Sequence, residues 1–130
     1  MTSQQTQKAL VDGPNGEPLV ITDYPIPPLL ADYVLAKTAY VSLNPLHQAH
    51  WLAATSQGRS KRDRGEKIMG FNHGINRVRP TTGSFSEHVI TKGDLPFRVP
   101  ESLPMDQAAT MPVGLYTVGQ GLYQGILRLA

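Results

Sequence analysis

Four histidines, ten carboxylates, five tyrosines and no cysteine set the chemistry open to this chain. His47 and His50 stand three apart and could share one helix face, with His73 and His88 elsewhere. A zinc site would need further ligands, and no carboxylate or thiolate completes one. No metal is therefore expected, and surface or partly buried histidines are the simpler account. Without cysteine there is no disulfide, thiolate metal site or cysteine nucleophile. Tyr116 and Tyr123 carry hydroxyls that could orient a carbonyl, although core packing with a wet tip is the default account of both. Gly114, Gly119, Gly121 and Gly125 fall in one short stretch. Each costs a helix about 1 kcal/mol relative to alanine, so packing must hold that stretch and something must approach it closely. That could be a bound chain passing against the backbone or a partner element.

The charge is concentrated. Twelve Lys+Arg against ten Asp+Glu give a net +2, but residues 58–67 (GRSKRDRGEK) hold five basic and two acidic residues. Outside that tract the chain is slightly acidic, which argues against a nucleic-acid-binding surface spread over the fold. The tract itself could attract phosphate, an acidic protein or lipid, and reads more simply as a solvated loop. No run approaches the roughly 18 apolar residues of a membrane span, and the opening MTSQQTQKAL lacks the basic-then-apolar pattern of a signal peptide. A cytoplasmic protein, without membrane or nucleic-acid partners and monomeric, is expected.

These residues need elements to position them. Twelve glycines and eleven prolines in 130 residues exceed the roughly 12% of average usage and suggest short strands joined by turns. Residues 1–7 read as a disordered polar tail. Residues 8–11 and 19–22 flank the turn-forming DGPNG and read as a hairpin. Pro25, Pro27 and Pro28 make the following segment an extended connection. Residues 33–42 are the longest strand candidate, with imperfect alternation that suits burial on both faces over part of its length. Residues 46–53 are expected to form one or two helical turns, 54–67 a basic loop, and 68–71, 84–91 and 97–99 short strands. Ser102 before Pro104 signals a helix start, and Pro112 divides that helix from a second over 113–124, with Leu115, Val118, Leu122 and Tyr123 towards one side. The result is a mainly β fold with C-terminal helices (α+β).

Five segments carry a resemblance: KALV (8–11), VSLNP (41–45), RGEKIMGFNHG (64–74), GSFSEHVITKGDL (83–95) and PESLPMDQAATMPVGLYTVGQGLY (100–123). Over about two thirds of its length the chain resembles the N-terminal, GroES-like half of the medium-chain dehydrogenase/reductase superfamily. Within it, the trans-acting enoyl reductases that serve fungal polyketide synthases match best. The resemblance implies a β-barrel-like domain leading into a Rossmann domain, and reduction of an enoyl thioester on the synthase's carrier protein by NADPH, without metal. It places cofactor contacts on Leu46, His47, Gln48 and Ala49. It places the acyl chain along Thr117, Val118, Gly119, Gln120, Gly121, Leu122, Tyr123 and Gln124. It assigns no catalytic residue.

The departures also carry expectations. Leu46-His47-Gln48-Ala49 lacks the charged residues usual in the family, and 52–64 stands where the family has a longer glycine-rich strand pair. The barrel is thus expected to be incomplete, with 54–67 a basic loop in place of core strands. No G-x-G-x-x-G loop and no Rossmann domain are found in the 130 residues. Three readings remain: an enoyl reductase, truncated and so impaired or inactive alone; a non-catalytic module that docks on a synthase or a full-length reductase; and the remnant of a truncated or mis-spliced reductase gene.

Overall fold

Residues 5–43, 49–56, 65–73 and 80–124 are described by a computed structural model. Strands β1 (Thr6–Asp12) and β2 (Pro18–Pro25) form an antiparallel hairpin. Its turn closes through Gly13 N–H donating to the Glu17 carbonyl at 2.7 Å and Gly16 N–H to the Gly13 carbonyl at 2.9 Å. Gly16 has φ +81°, a left-handed conformation that side chains disfavour.

The tail expected over residues 1–7 ends sooner. Thr6 and Gln7 already belong to β1, and Gln7 is 3% exposed. Its side-chain amide imitates a peptide group: Oε1 accepts from the His88 N–H at 2.6 Å while Nε2 donates to the His88 carbonyl at 3.1 Å. A polar side chain tolerates burial when its hydrogen bonds are made, and that pairing is long-range and invisible in local composition.

A second sheet has the order β6-β3-β4-β5-β7, all pairs antiparallel. Its strands are β3 (Tyr33–Ser42), β4 (Ala49–Ser56), β5 (Lys67–His73), β6 (His88–Lys92) and β7 (Phe97–Arg98). The strand expected over 33–42 is found with those bounds. Its expected two-sided burial is not found: the fully buried Val34 and Ala36 share one face, and Tyr33 and Leu35 on the other are half-buried.

The helical turns expected over 46–53 are a correction. From Ala49 onward the chain is strand, and β4 lies at the centre of the sheet. AHWLAATS has no helix-breaking residue and little β-branching, so local preference is nearly neutral; pairing on both edges decides it. The loop expected over 54–67 loses residues at both ends, since 54–56 close β4 and Lys67 opens β5. Residues 57–64 lie outside the described residues. Among the described residues β6 and β7 are the terminal strands of this sheet, and no closed barrel is formed.

Two buried clusters hold the sheet. Val34, Ala36, Ile68 and Val89 form one, and Met69, Val99, Ala108 and Ala109 the other, with Leu103 and Met105 packed against it. The second cluster seats helix α1 (Met105–Thr110). The Ser42 hydroxyl donates to the Ala109 carbonyl at 3.0 Å, tying the end of β3 to α1. The helix start expected at Ser102 is displaced: Pro104 is the capping residue, with no side-chain cap. Pro112 divides the helices as expected and opens α2 (Pro112–Tyr123). A proline at the first helical position gives up only an N–H that would lack an intrahelical acceptor. On the hairpin, partial burial raises the Tyr24 phenol above its usual pKa near 10.

Candidate functional site

Helix α2 carries all but the last of the residues expected to contact an acyl chain; Gln124 caps its C-terminal end. At 100° per residue, Pro112, Tyr116 and Gly119 fall on one side. Pro112 is fully buried and Tyr116 half-buried, so this side faces the protein. Leu115, Val118 and Leu122 fall on another side. Leu115 and Val118 are exposed, Val118 to 57%, and Leu122 is partly so. The expected grouping holds for these three, but Tyr123, expected with them, falls on the inward side, and the structure turns the stripe away from the core. Gly114 and Gly121 lie beside Val118. A Cβ built on Gly114, Gly119 or Gly121 meets no atom within 4 Å. Within the described residues, nothing therefore occupies the space these glycines leave.

Tyr123 is 82% exposed, so packing in the core is excluded for it. Tyr116 is the opposite case. Its hydroxyl donates to the Leu95 carbonyl at 2.5 Å. Its ring lies 5.3 Å from that of Phe97 and 6.1 Å from that of Phe71, tilted against both, a favourable arrangement of aromatic quadrupoles. With its proton engaged by a backbone carbonyl, the Tyr116 hydroxyl supports the helix rather than presenting itself to a ligand.

Of the residues expected to contact cofactor, Leu46, His47 and Gln48 lie outside the described residues. Ala49 opens β4 and pairs with His73 of β5. His50 lies in β4 opposite Asn72, and His88 in β6. Among the described residues, no three of His, Cys, Asp and Glu gather as metal ligands would. From the basic tract, Glu66 has a side chain only 7% exposed, and its Oε1 accepts from Arg98 Nε at 2.6 Å. That pair joins the start of β5 to β7.

Sequence reasoning missed two parts of this region. The apolar stripe begins at Leu115, two residues before the expected contact segment, although the i, i+3, i+7 spacing already grouped Leu115 with Val118 and Leu122. The carbonyl of Leu95, which receives Tyr116, has no sequence signal. A separate apolar concavity of about 340 Å³ lies where the hairpin meets β3, with Leu10, Val20, Thr38, Val41 and Phe85 in its walls. None of the expected site residues lines it.

No protein-family model matches the chain. Comparison with known proteins gives a clear result. The chain is 36% identical over 138 residues to the trans-enoyl reductase TOXD of Cochliobolus carbonum, covering 92% of this chain and 46% of that protein. It is 32% identical over 135 residues to the trans-enoyl reductase resD of Aspergillus sclerotiorum, covering 90% of this chain and 38% of that protein. Over about nine tenths of its length the chain is thus similar to trans-enoyl reductases. It spans less than half the length of these relatives. Among solved structures, an alcohol dehydrogenase superfamily protein from Novosphingobium aromaticivorans superimposes with a TM-score of 0.72 at 18% identity, over 93% of this chain and 42% of that one. The mainly β fold with two short helices is that of the N-terminal domain of the medium-chain dehydrogenase/reductases. Among the described residues, no helix is long and apolar enough to cross a membrane.

Proposed function

We propose that this chain is the acyl-binding portion of an NADPH-dependent enoyl reductase that acts in trans, in the cytoplasm, on enoyl thioesters held by the carrier protein of a polyketide synthase. The observation that carries this reading is the outward face of α2: Leu115, Val118 and Leu122 form an apolar stripe beside glycines whose Cβ positions are open. An unsaturated acyl chain has no charge to pair and gains most from apolar surface and close backbone approach. When bound, NADPH would supply the hydride that adds to the β carbon of the thioester. Three of the four residues given to the cofactor lie outside the described residues. The part of the reaction that falls to the described residues is the acyl side, where α2 binds and orients the chain. Turnover by these 130 residues alone is expected to be weak or absent, because they carry no dinucleotide phosphate loop.

The test is a titration of the isotopically labelled chain with an enoyl-pantetheine thioester, with and without NADPH, followed by amide resonances. Saturable shifts concentrated over residues 115–122 are expected. Absence of binding, or shifts confined to other parts of the fold, overturns the reading. NADPH consumption in the same sample reports whether this stretch also catalyses the reduction.

A further inference from the structure

The outward face of α2 is useful to a ligand only if the helix is held at a fixed rotation, and few groups hold it. On the inward side Pro112 is buried at the N-terminal end, and Tyr116 follows one turn later. The next inward position is Gly119, which has no side chain, and Tyr123 beyond it is exposed. Tyr116 is therefore the last large side chain anchoring α2 before the acyl-contact segment begins.

The partner of Tyr116 is itself fixed. Leu95 N–H donates to the Lys92 carbonyl at 3.2 Å, closing the turn after β6. Pro96 rests directly on β5: a Cβ built on Gly70 would lie 3.3 Å from the Pro96 Cα. Gly70 is paired with Leu52 of β4, the strand that begins at Ala49. A short physical path thus runs from β4 through Gly70, Pro96 and Leu95 to the Tyr116 hydroxyl and α2.

We propose that Tyr116 is a positioning residue for acyl specificity: its hydrogen bond to Leu95 sets the rotation of α2 against β5, and with it the alignment of the Leu115–Val118–Leu122 stripe for long acyl chains. This rests on the reading of α2 as the acyl site. From Leu115 to Leu122 the stripe runs about 10 Å, which an octenoyl chain can follow and a crotonyl chain cannot. Misrotation of the helix should weaken long-chain binding and leave short-chain binding nearly unchanged.

The experiment compares the full chain with Tyr116→Phe, which keeps the ring contacts and loses only the hydroxyl. Dissociation constants for crotonyl- and octenoyl-pantetheine are measured alongside the melting temperature and the unliganded amide shifts of residues 117–124. The wild-type chain is expected to prefer the octenoyl thioester. Tyr116→Phe should reduce that preference by roughly 3- to 10-fold, the effect of one net hydrogen bond, with displaced amide shifts over 117–124 and a melting temperature lower by a few degrees. An unchanged preference, or equal weakening towards both thioesters in step with lost stability, overturns the inference and leaves the acyl-site reading standing. Failure of the wild-type chain to bind either thioester overturns both.

Discussion

The β1–β2 hairpin and helix α2 are both attached to the five-stranded sheet, but by different means. The hairpin is stitched on by backbone or backbone-like bonds. Leu10 N–H donates to the Phe85 carbonyl at 2.8 Å, Glu87 N–H to the Lys8 carbonyl at 3.2 Å, and the Gln7 amide pairs both polar groups of His88. Helix α2 is held at Pro112 and through the one hydroxyl and ring of Tyr116, and leaves an apolar stripe and three open glycines outside. The hairpin too leaves Leu10, Leu19 and Val20 exposed, so exposure alone does not single out α2; the open glycines beside its stripe do. An element that keeps apolar surface in reserve fits a ligand or a partner surface.

The contrast is sharpest between two aliphatic side chains. Ile68 of β5 is 1% exposed in the first core cluster, and Val118 of α2 is 57% exposed. Ile68→Ala should cost about 2–5 kcal/mol through lost burial and the cavity left behind. Val118→Ala should change stability by no more than about 0.5 kcal/mol while weakening octenoyl-thioester binding. Chemical denaturation of the two variants measures both values. Comparable destabilisation by the two would mean that Val118 belongs to the core, and the distinction between the regions would fail.

Much of this architecture was legible in the chain, for identifiable reasons. The hairpin could be read because DGPNG combines a left-handed glycine with turn-forming neighbours between two apolar runs. Strand β3 could be read because ten residues without Gly, Pro or Asn admit little else. The division at Pro112 follows from one missing N–H. What escaped was set by distant partners. Ala49–Ser56 is a central strand because β3 and β5 flank it, not because of its own composition. Gln7 is buried because His88 lies 81 residues away in sequence. For the candidate site, the acyl segment was named from resemblance and the grouping of Leu115, Val118 and Leu122 from spacing. Which way that group faces depends on Tyr116 finding the Leu95 carbonyl, which no local pattern encodes.

Gln7 gives the next largest effect and probes the hairpin side. Gln7→Leu keeps similar bulk and removes both bonds to His88. The His88 carbonyl retains the Ser86 hydroxyl at 2.9 Å, whereas its N–H loses the Gln7 acceptor. A cost of about 1–3 kcal/mol follows from leaving a buried donor unpaired. Amide exchange should accelerate at His88 and along β1 and leave α2 unaffected. Acceleration spread evenly over the chain would show that hairpin and helix open as one unit, which would weaken the comparison.

The glycines of α2 give the smallest effect on stability and the most informative sign. Gly114 and Gly121 flank Val118, and a Cβ at either meets nothing within 4 Å. Gly121→Ala should therefore stabilise the helix by up to about 1 kcal/mol, since alanine restricts the unfolded chain and clashes with nothing. If an acyl chain passes against this backbone, the added methyl should lower octenoyl-thioester affinity in the same variant. A rise in melting temperature joined to a loss of binding is the signature of glycine retained for a ligand. A rise in melting temperature with binding intact would instead mean that the open space beside Gly121 is unused by the acyl chain. The contact would then run along Leu115, Val118 and Leu122 alone.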